Sequence, residues 1–391
     1  MTFDPAAITG NWNYPTKMIV GPGRIAKLGA ACKSLGMKRP LLVTDPGIAA
    51  LPMVVDAIEG CEADGLSVGL FSDVKGNPVG RNVADGVHFY REGNHDGVIA
   101  FGGGSGLDAA KAVALMVGQN RPIWDFEDVG DNWKRVNEAG VAPIVAVPTT
   151  AGTGSEVGRA SVITNEQTHE KKIIFHPLML PGVVISDAEL TVGLPPNITA
   201  ATGIDAFVHC FEAYCAPGYH PMAEGIALEG MRLIKDFLPR AYKDGGDIEA
   251  RGQMLVAASM GATAFQKGLG GVHSIAHAVG AMYDTHHGLT NAVLLPYVMQ
   301  FNRPAIEGRM DLLCRVLGLA DGGYGAVLDW VLGFRKALGI PDSLAAMDVP
   351  NDRADDIGKL AEADPSTGGN PRPMNAADMK ATFLAAVAGR L

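Results

Sequence analysis

Across residues 1–190, short apolar runs alternate with amphipathic stretches, and this pattern constrains the fold more than any other feature. LLVTD (41–45), LSVGLFSDV (66–74), GVIAFGGGS (97–105), PIVAVPTT (143–150) and VVISD (183–187) read as buried strands. AALPMVVDAIEG and GRNVADGVHFYREG carry apolar residues at three-to-four spacing and read as helices. Strand, turn and helix repeated in this way imply a parallel sheet with helices on both faces. Such sheets bind ligands beyond the carboxyl ends of their strands. Polar residues and glycines gather there: Asp45 after LLVT, Gly102–Ser105 after VIAF, and Thr149 and Thr150 after IVAV.

After about residue 190 the strand signal gives way to long helices, from PPNITAATGIDAFVHCFEAYC to LAAVAGRL. LPPN (194–197) reads as a hinge or a helix start, and GGNPRPMN (368–375) as a loop before the last helix. A chain of 391 residues is too long for one simple core. The expected organisation is an α/β nucleotide-binding domain with a parallel sheet over 1–190 and an all-helical domain over 191–391.

Composition narrows the function. A net charge of −10 without a dense Lys/Arg run gives no electrostatic footprint for nucleic acid and disfavours anionic membranes. No window of eighteen apolar residues suggests a membrane span. MTFDPAAITGNWNYPTK has no basic region followed by an apolar stretch, so no signal peptide is expected. The five cysteines form no CxxC pair and no regular framework, which reads as reduced thiols in a cytoplasmic protein. Cys210 and Cys215 read as small buried apolar residues.

AFGGGSGLDAAKAVAL sets Gly102, Gly103, Gly104 and Ser105 between a strand and a helix. Without Cβ atoms a backbone can approach a phosphate, and a helix N-terminus offers N–H donors. The run departs from G-x-G-x-x-G at Leu107 and has no P-loop lysine, so a purely structural turn competes with pyrophosphate binding. In PTTAGTGSEVGRASVIT (148–164) the hydroxyls of Thr149, Thr150, Thr153 and Ser155 suit a ribose, phosphate or nicotinamide amide, or else satisfy the local backbone. Asp45 is placed either to accept from an adenosine ribose, favouring NAD over NADP, or to cap the turn before Pro46.

Four of the ten histidines fall in GVHSIAHAVGAMYDTHHGLTN (271–291): His273, His277, His286 and His287. Imidazoles that converge suit a divalent transition metal. Upstream, in GIDAFVHCFEAY, Asp205 and His209 are spaced i, i+4 and share one helix face. One carboxylate and three imidazoles would leave a bound divalent ion with a net charge near +1.

Together GGGSGLDAAKAVAL, PTTAGTGSEV, GIDAFVHCFEAY and HSIAH…HHGLTNAVLLPYV resemble the iron-containing (group III) alcohol dehydrogenases, of the dehydroquinate-synthase-like fold. The four blocks occur in the right order, and STGGNPR (366–372) is similar to the family's C-terminal loop. The resemblance implies metal ligation by Asp205, His209, His273 and His287, with Fe²⁺ bound and Zn²⁺ as an alternative. It implies that His277 is a catalytic histidine beside the metal, although His273 and His277 are themselves an i, i+4 pair. A fifth protein donor would use up the open position that a catalytic site needs. For NAD the resemblance implies Asp45, Asn77, Gly103, Gly104, Ser105, Asp108, Thr149, Thr150, Thr153, Ser155 and Lys171. It also implies a homodimer. Gly106 and His286 stand where many relatives carry proline, and Gln266 and Lys267 where several carry Asn.

The implied reaction is reversible hydride transfer between a small alcohol, or a hydroxy acid, and NAD, giving an aldehyde from the alcohol. A hydroxyacid–oxoacid transhydrogenase would keep NAD and cycle two substrates. A lyase of the dehydroquinate synthase type would need several Lys/Arg residues around the metal, and 200–290 is poor in them. A non-catalytic metal-binding protein would leave the glycine and threonine loops without a role. Lys267 and Arg159 are the candidate cations for anchoring a substrate carboxylate, with a solvated helix-end lysine as the competing reading for Lys267.

Overall fold

Six strands run parallel in one sheet. The computed structural model describes residues 10–12 and 16–391 except 169 and 321, so most of the N-terminal stretch read for a signal peptide lies outside the described residues. The strands are β1 (Gly10–Trp12), β2 (Lys17–Val20), β3 (Pro40–Val43), β4 (Gly69–Phe71), β5 (Gly97–Gly102), β6 (Ile144–Pro148), β7 (Ala160–Asn165), β8 (Glu170–Phe175) and β9 (Val183–Ser186). The main sheet has the order β1-β2-β9-β6-β5-β3-β4, with β1 antiparallel at one edge. β3, β5, β6 and β9 are buried along their whole length. Strands covered on both faces carry continuous apolar runs, which is why the sequence reveals them. β7 and β8 form a separate antiparallel pair, Ala160 opposite Phe175.

The helices that cover the sheet are α1 (Leu28–Ser34), α2 (Pro52–Ala63), α3 (Gly80–Glu92) and α4 (Gly104–Met116). Leu28, Cys32, Val54 and Cys61 from α1 and α2 pack with Leu42, Ile99, Val145 and Ile185 in one apolar layer. Val83, Val87, Val113 and Leu115 from α3 and α4 form another, with Ile163 and Ile174 of the β7–β8 pair. Hydrophobic burial of this kind supplies the main stabilising term.

Eight helices follow: α5 (Pro196–Cys215), α6 (Pro221–Lys243), α7 (Ile248–Ala264), α8 (Gly271–Tyr283), α9 (His287–Leu317), α10 (Gly323–Ala337), α11 (Ala354–Ala363) and α12 (Ala376–Ala388). α5 begins with Pro196 in its first turn, where a missing N–H costs nothing. It is buried from Thr199 to Cys215 and packs on α6, α7 and α9. Polar groups on such a helix require partners, and Asp205, His209 and Glu212 all lie on it.

The chain divides into two compact units. One runs to Thr150 and resumes over Gly154–Gly193; the other comprises Ala151–Thr153 and Leu194–Leu391. Ala151–Thr153 joins the helical unit because its backbone sits down on α5: a Cβ on Gly152 would lie 2.7 Å from Thr202 Cβ. All five cysteines are buried and free. Among the described residues no helix is long and apolar enough to cross a membrane.

Candidate metal centre and cofactor loop

α5, α8 and the start of α9 bring Asp205, His273 and His287 together, with one ligand atom of each within 4.8 Å of the others. His287 Nε2 lies 3.7 Å from Asp205 Oδ1. The amide nitrogen of Asn291, one turn on from His287, sits among the three. It donates to Asp205 Oδ1 at 2.7 Å and lies 3.2 Å from His273 Nε2 and 3.1 Å from His287 Nε2. Two amide hydrogens face three acceptors there, and Asn291 Oδ1 is buried with no hydrogen-bond partner. Such an acceptor cradle suits a cation better than an amide.

His209 lies one turn along α5 from Asp205 and outside that group of three. Its ring stacks on His273 at 4.7 Å between centroids and tilts against Phe265 at 5.2 Å. Its Nδ1 is buried without a hydrogen bond of good geometry, although the Gly152 backbone lies against the ring. Burial pushes the ring down to about 4, so it is neutral at pH 7 and retains a lone pair for a metal. The donor set therefore fits a divalent ion: a carboxylate, two converging imidazoles and a third neutral imidazole with an unused nitrogen.

Glu212, the next residue on the Asp205–His209 face of α5, holds this arrangement. His273 Nδ1 donates to Glu212 Oε2 at 2.6 Å, and the Val272 amide donates to Oε1 at 2.8 Å. The bond leaves Nε2 with its lone pair toward the cradle, the usual carboxylate–imidazole support of a metal ligand. Burial would depress His273, but the Glu212 carboxylate outweighs it and holds the ring above its ordinary value. A metal entering there competes with a proton.

His277 lies one turn beyond His273 on α8. Its ring stacks on His287 at 5.3 Å and stands edge-on to His273 at 5.9 Å. Its Nδ1 donates to Asp364 Oδ2 at 2.9 Å. Burial would raise the Asp364 carboxyl, yet the facing His277 ring and the Ser366 amide hold it below the usual carboxylate range.

In the α/β unit the glycine run joins β5 to α4. Gly102 has φ +145°, a backbone region that side chains disfavour. Gly103 is the N-cap of α4 and no side chain caps the helix, so its first-turn N–H groups suit an anion. A Cβ on Gly103 would press within 3.2 Å of Thr150, and the Thr149 amide donates to the Gly102 carbonyl at 3.0 Å. Lys171 Nζ donates to Asn77 Oδ1 at 2.8 Å, and the Asn77 amide donates to Ser105 Oγ at 3.3 Å. Asn77 has φ +52°, which Asn tolerates better than most residues. These three residues thus meet at the start of α4.

Asp108 faces inward. It accepts from Ser155 Oγ at 2.5 Å and the Val162 amide at 2.9 Å, and lies 3.4 Å from Lys111 Nζ. Lys111 is fully buried, donates to the Ser155 and Ala160 carbonyls, and is pushed below its ordinary value by that burial. Together Asp108 and Lys111 pin the polar loop to α4. Asp45 Oδ1 accepts from the Gly47 amide at 2.9 Å, an Asx turn after β3. Thr153 lies with the helical unit.

One expectation for a substrate cation changes. Lys267 is neither solvated nor free: its side chain is 2% exposed, and Nζ lies 2.7 Å from Glu224 Oε1, whose other oxygen meets Arg309 at 2.8 Å. Turning Lys267 toward a substrate would take it from this pair and leave Glu224 to Arg309 alone. Arg159 is exposed beside the Phe175 ring.

Comparison with known proteins agrees with this geometry. Residues 15–188 match the model of the iron-containing alcohol dehydrogenases, and residues 199–387 match that family's C-terminal domain. The chain belongs to the iron-containing alcohol dehydrogenase family. It is an oxidoreductase acting on CH–OH groups, in a family that uses NAD and an iron-type metal. The dehydrogenase is 37% identical to the 4-hydroxybutyrate dehydrogenase of Cupriavidus necator, an alignment covering 94% of this chain and 97% of the relative. It is 34% identical to the NAD-dependent methanol dehydrogenase of Bacillus methanolicus, again over 94% and 97%. The crystal structure of a 1,3-propanediol oxidoreductase superposes with a TM-score of 0.90 at 33% identity, covering 94% of this chain and 97% of that one.

Spacing alone could have flagged Glu212, since Asp205, His209 and Glu212 step by four and three along one helix face. Asn291, one turn past His287, carried the same kind of signal. Nothing local marks Asp364, which meets His277 across 87 residues.

Proposed function

We propose that the dehydrogenase oxidises small primary alcohols with NAD, using one divalent metal held by Asp205, His209, His273 and His287. The convergence of Asp205, His273 and His287 supports this reading most strongly. Fe²⁺ is our assignment; Zn²⁺ is the competing ion, because nitrogen and oxygen sites hold it at least as tightly. When bound, the metal would polarise the substrate hydroxyl and NAD⁺ would accept the hydride.

The chain's own residues do the rest. Glu212 fixes the tautomer and direction of His273. Gly103, Gly104 and Ser105 offer backbone donors to the pyrophosphate at the start of α4. Asn77 and Lys171 add a polar pair beside Ser105, and Thr149, Thr150, Thr153 and Ser155 line the second loop. Asp108 acts through Ser155, which it fixes in place. His277 takes the hydroxyl proton and passes it outward. The buried free thiols suit a reducing cytoplasm, and the family resemblance suits a homodimer, which light scattering would test.

A carboxylated substrate is a second reading, favoured by the 4-hydroxybutyrate dehydrogenase relative. Anchoring by Lys267 is disfavoured by its pair with Glu224. A charge-assisted anchor would contribute about 1.5–3 kcal/mol, some ten- to hundredfold in kcat/KM. Initial rates on 1-butanol and 4-hydroxybutyrate decide between the two, and a preference of tenfold or more for the acid would overturn the simple-alcohol reading.

The same assay tests Asp45. Its carboxylate stands at the carboxyl end of β3, where it would accept from a ribose and repel a 2′-phosphate. Asp45→Ser should narrow the NAD:NADP preference by about tenfold or more, the weight of one charge interaction of roughly 1.4 kcal/mol. If the wild type uses both cofactors alike, Asp45 serves only the Gly47 turn.

A further inference from the structure

The segment leaving α11 runs antiparallel to α8 in a register that repeats every three residues. Asp364 meets His277 at 2.9 Å, Thr367 Oγ1 donates to Ser274 Oγ at 2.7 Å, and Asn370 Oδ1 accepts from the Gly271 amide at 3.0 Å. The match follows from geometry, because Pro365–Gly369 is a 3₁₀ helix with three residues per turn. Positions 364, 367 and 370 therefore share one face and meet 277, 274 and 271 in reverse order. Close approach also explains Gly369, where a Cβ would collide with the Leu269 carbonyl. Asn370 is itself locked to Asn302 by two bonds of 2.8 Å.

Asp364 opens this turn and uses both carboxylate oxygens. Oδ1 accepts from the Ser366 amide at 2.8 Å, which seats the turn, and Oδ2 accepts from His277 Nδ1. Both side chains are 11% exposed, so water competes little for the bond. A carboxylate at Nδ1 keeps the ring proton there and leaves the lone pair on Nε2.

We propose that Asp364 is a positioning residue for the reaction: it holds His277 in the Nδ1–H tautomer, with Nε2 ready to receive the hydroxyl proton while Nδ1 keeps its own. The inference rests on the proposed role of His277. It assigns a task to a C-terminal turn that contributes no proposed metal ligand, and it makes the 364–370 register the reason that task can be met from 87 residues away.

The test compares Asp364→Ala and the isosteric Asp364→Asn, each made in wild type and in His277→Ala. In Asp364→Asn the side-chain oxygen can serve only one of its two donors. With the oxygen on Ser366, the amide NH₂ faces Nδ1 and forces the ring proton onto Nε2. Both variants should lower kcat about 10- to 100-fold, the usual effect of removing the partner behind a site imidazole. KM for the alcohol and metal per chain should stay as in wild type. In the His277→Ala background neither variant should slow the enzyme further, because the two residues act as one unit. In the metal-free protein, ¹⁵N shifts of the ring assigned by its loss in His277→Ala should show Nδ1–H in wild type and Nε2–H in Asp364→Asn.

The inference is overturned if both Asp364 variants keep kcat within threefold while His277→Ala loses turnover. It is equally overturned if they slow the His277→Ala enzyme by the same factor, or if wild-type His277 carries its proton on Nε2. Unchanged turnover in His277→Ala would instead overturn the role proposed for His277 itself.

Discussion

Replacing His273 with alanine should strip the metal from the protein and lower kcat/KM by more than about a thousandfold. The reasons are local. His273 offers Nε2 to the cradle with its ring clamped by Glu212 at 2.6 Å, so a well-oriented donor is lost from the proposed set of four. Polarisation of the hydroxyl by the metal is worth several kcal/mol, and about 4 kcal/mol is a thousandfold in rate. The substitution also leaves the buried Glu212 without its imidazole, a loss of about 3 kcal/mol when a buried pair is broken. That is smaller than the roughly 5–15 kcal/mol that holds a domain folded, and the Val272 amide still serves Glu212. A thermal melt should therefore show a weakened but cooperative fold. Metal analysis of the purified variant is the decisive readout, and full metal content would remove His273 from the ligand set.

Replacing His277 with alanine should have the opposite split, with metal retained and turnover lost. His277 shares the i, i+4 face of α8 with His273, so spacing alone would make both ligands. Their partners differ: His273 joins Asp205 and His287 in the cradle and bonds Glu212, whereas His277 bonds Asp364. General acid–base groups contribute about 10²–10⁴-fold, and a loss in that range is expected in kcat. Loss of the metal in this variant would mean that His277 is a ligand.

Much of the site was legible because its parts are local. Asp205 and His209 are one turn apart on one helix, and His273 and His287 flank a short break between α8 and α9. The sheet was legible where burial on both faces made continuous apolar runs, as in β5 and β6. The β7–β8 pair was hidden, because β7 alternates buried and half-buried residues inside a polar stretch and β8 carries Glu170, Lys171 and Lys172. β2 is short and lies in none of the strand–helix repeats. Three features had no local signal at all. Lys267 looks like a solvated lysine until Glu224 arrives from α6 to bury it. Asp108 gives no local sign that Ser155 and Val162 bond its carboxylate. Ala151–Thr153 follows a strand of the α/β unit, yet Gly152 is small enough to settle on α5.

Alcohol oxidation by this chain should depend on one divalent ion in the proposed Asp205–His209–His273–His287 set. The most direct measurement is NADH formation from 1-butanol by wild-type enzyme stripped with a chelator and titrated anaerobically with Fe²⁺. The stripped enzyme should show no turnover, with activity restored linearly and saturating at one ion per chain. Full turnover by the stripped enzyme, or saturation at two ions per chain, would contradict it.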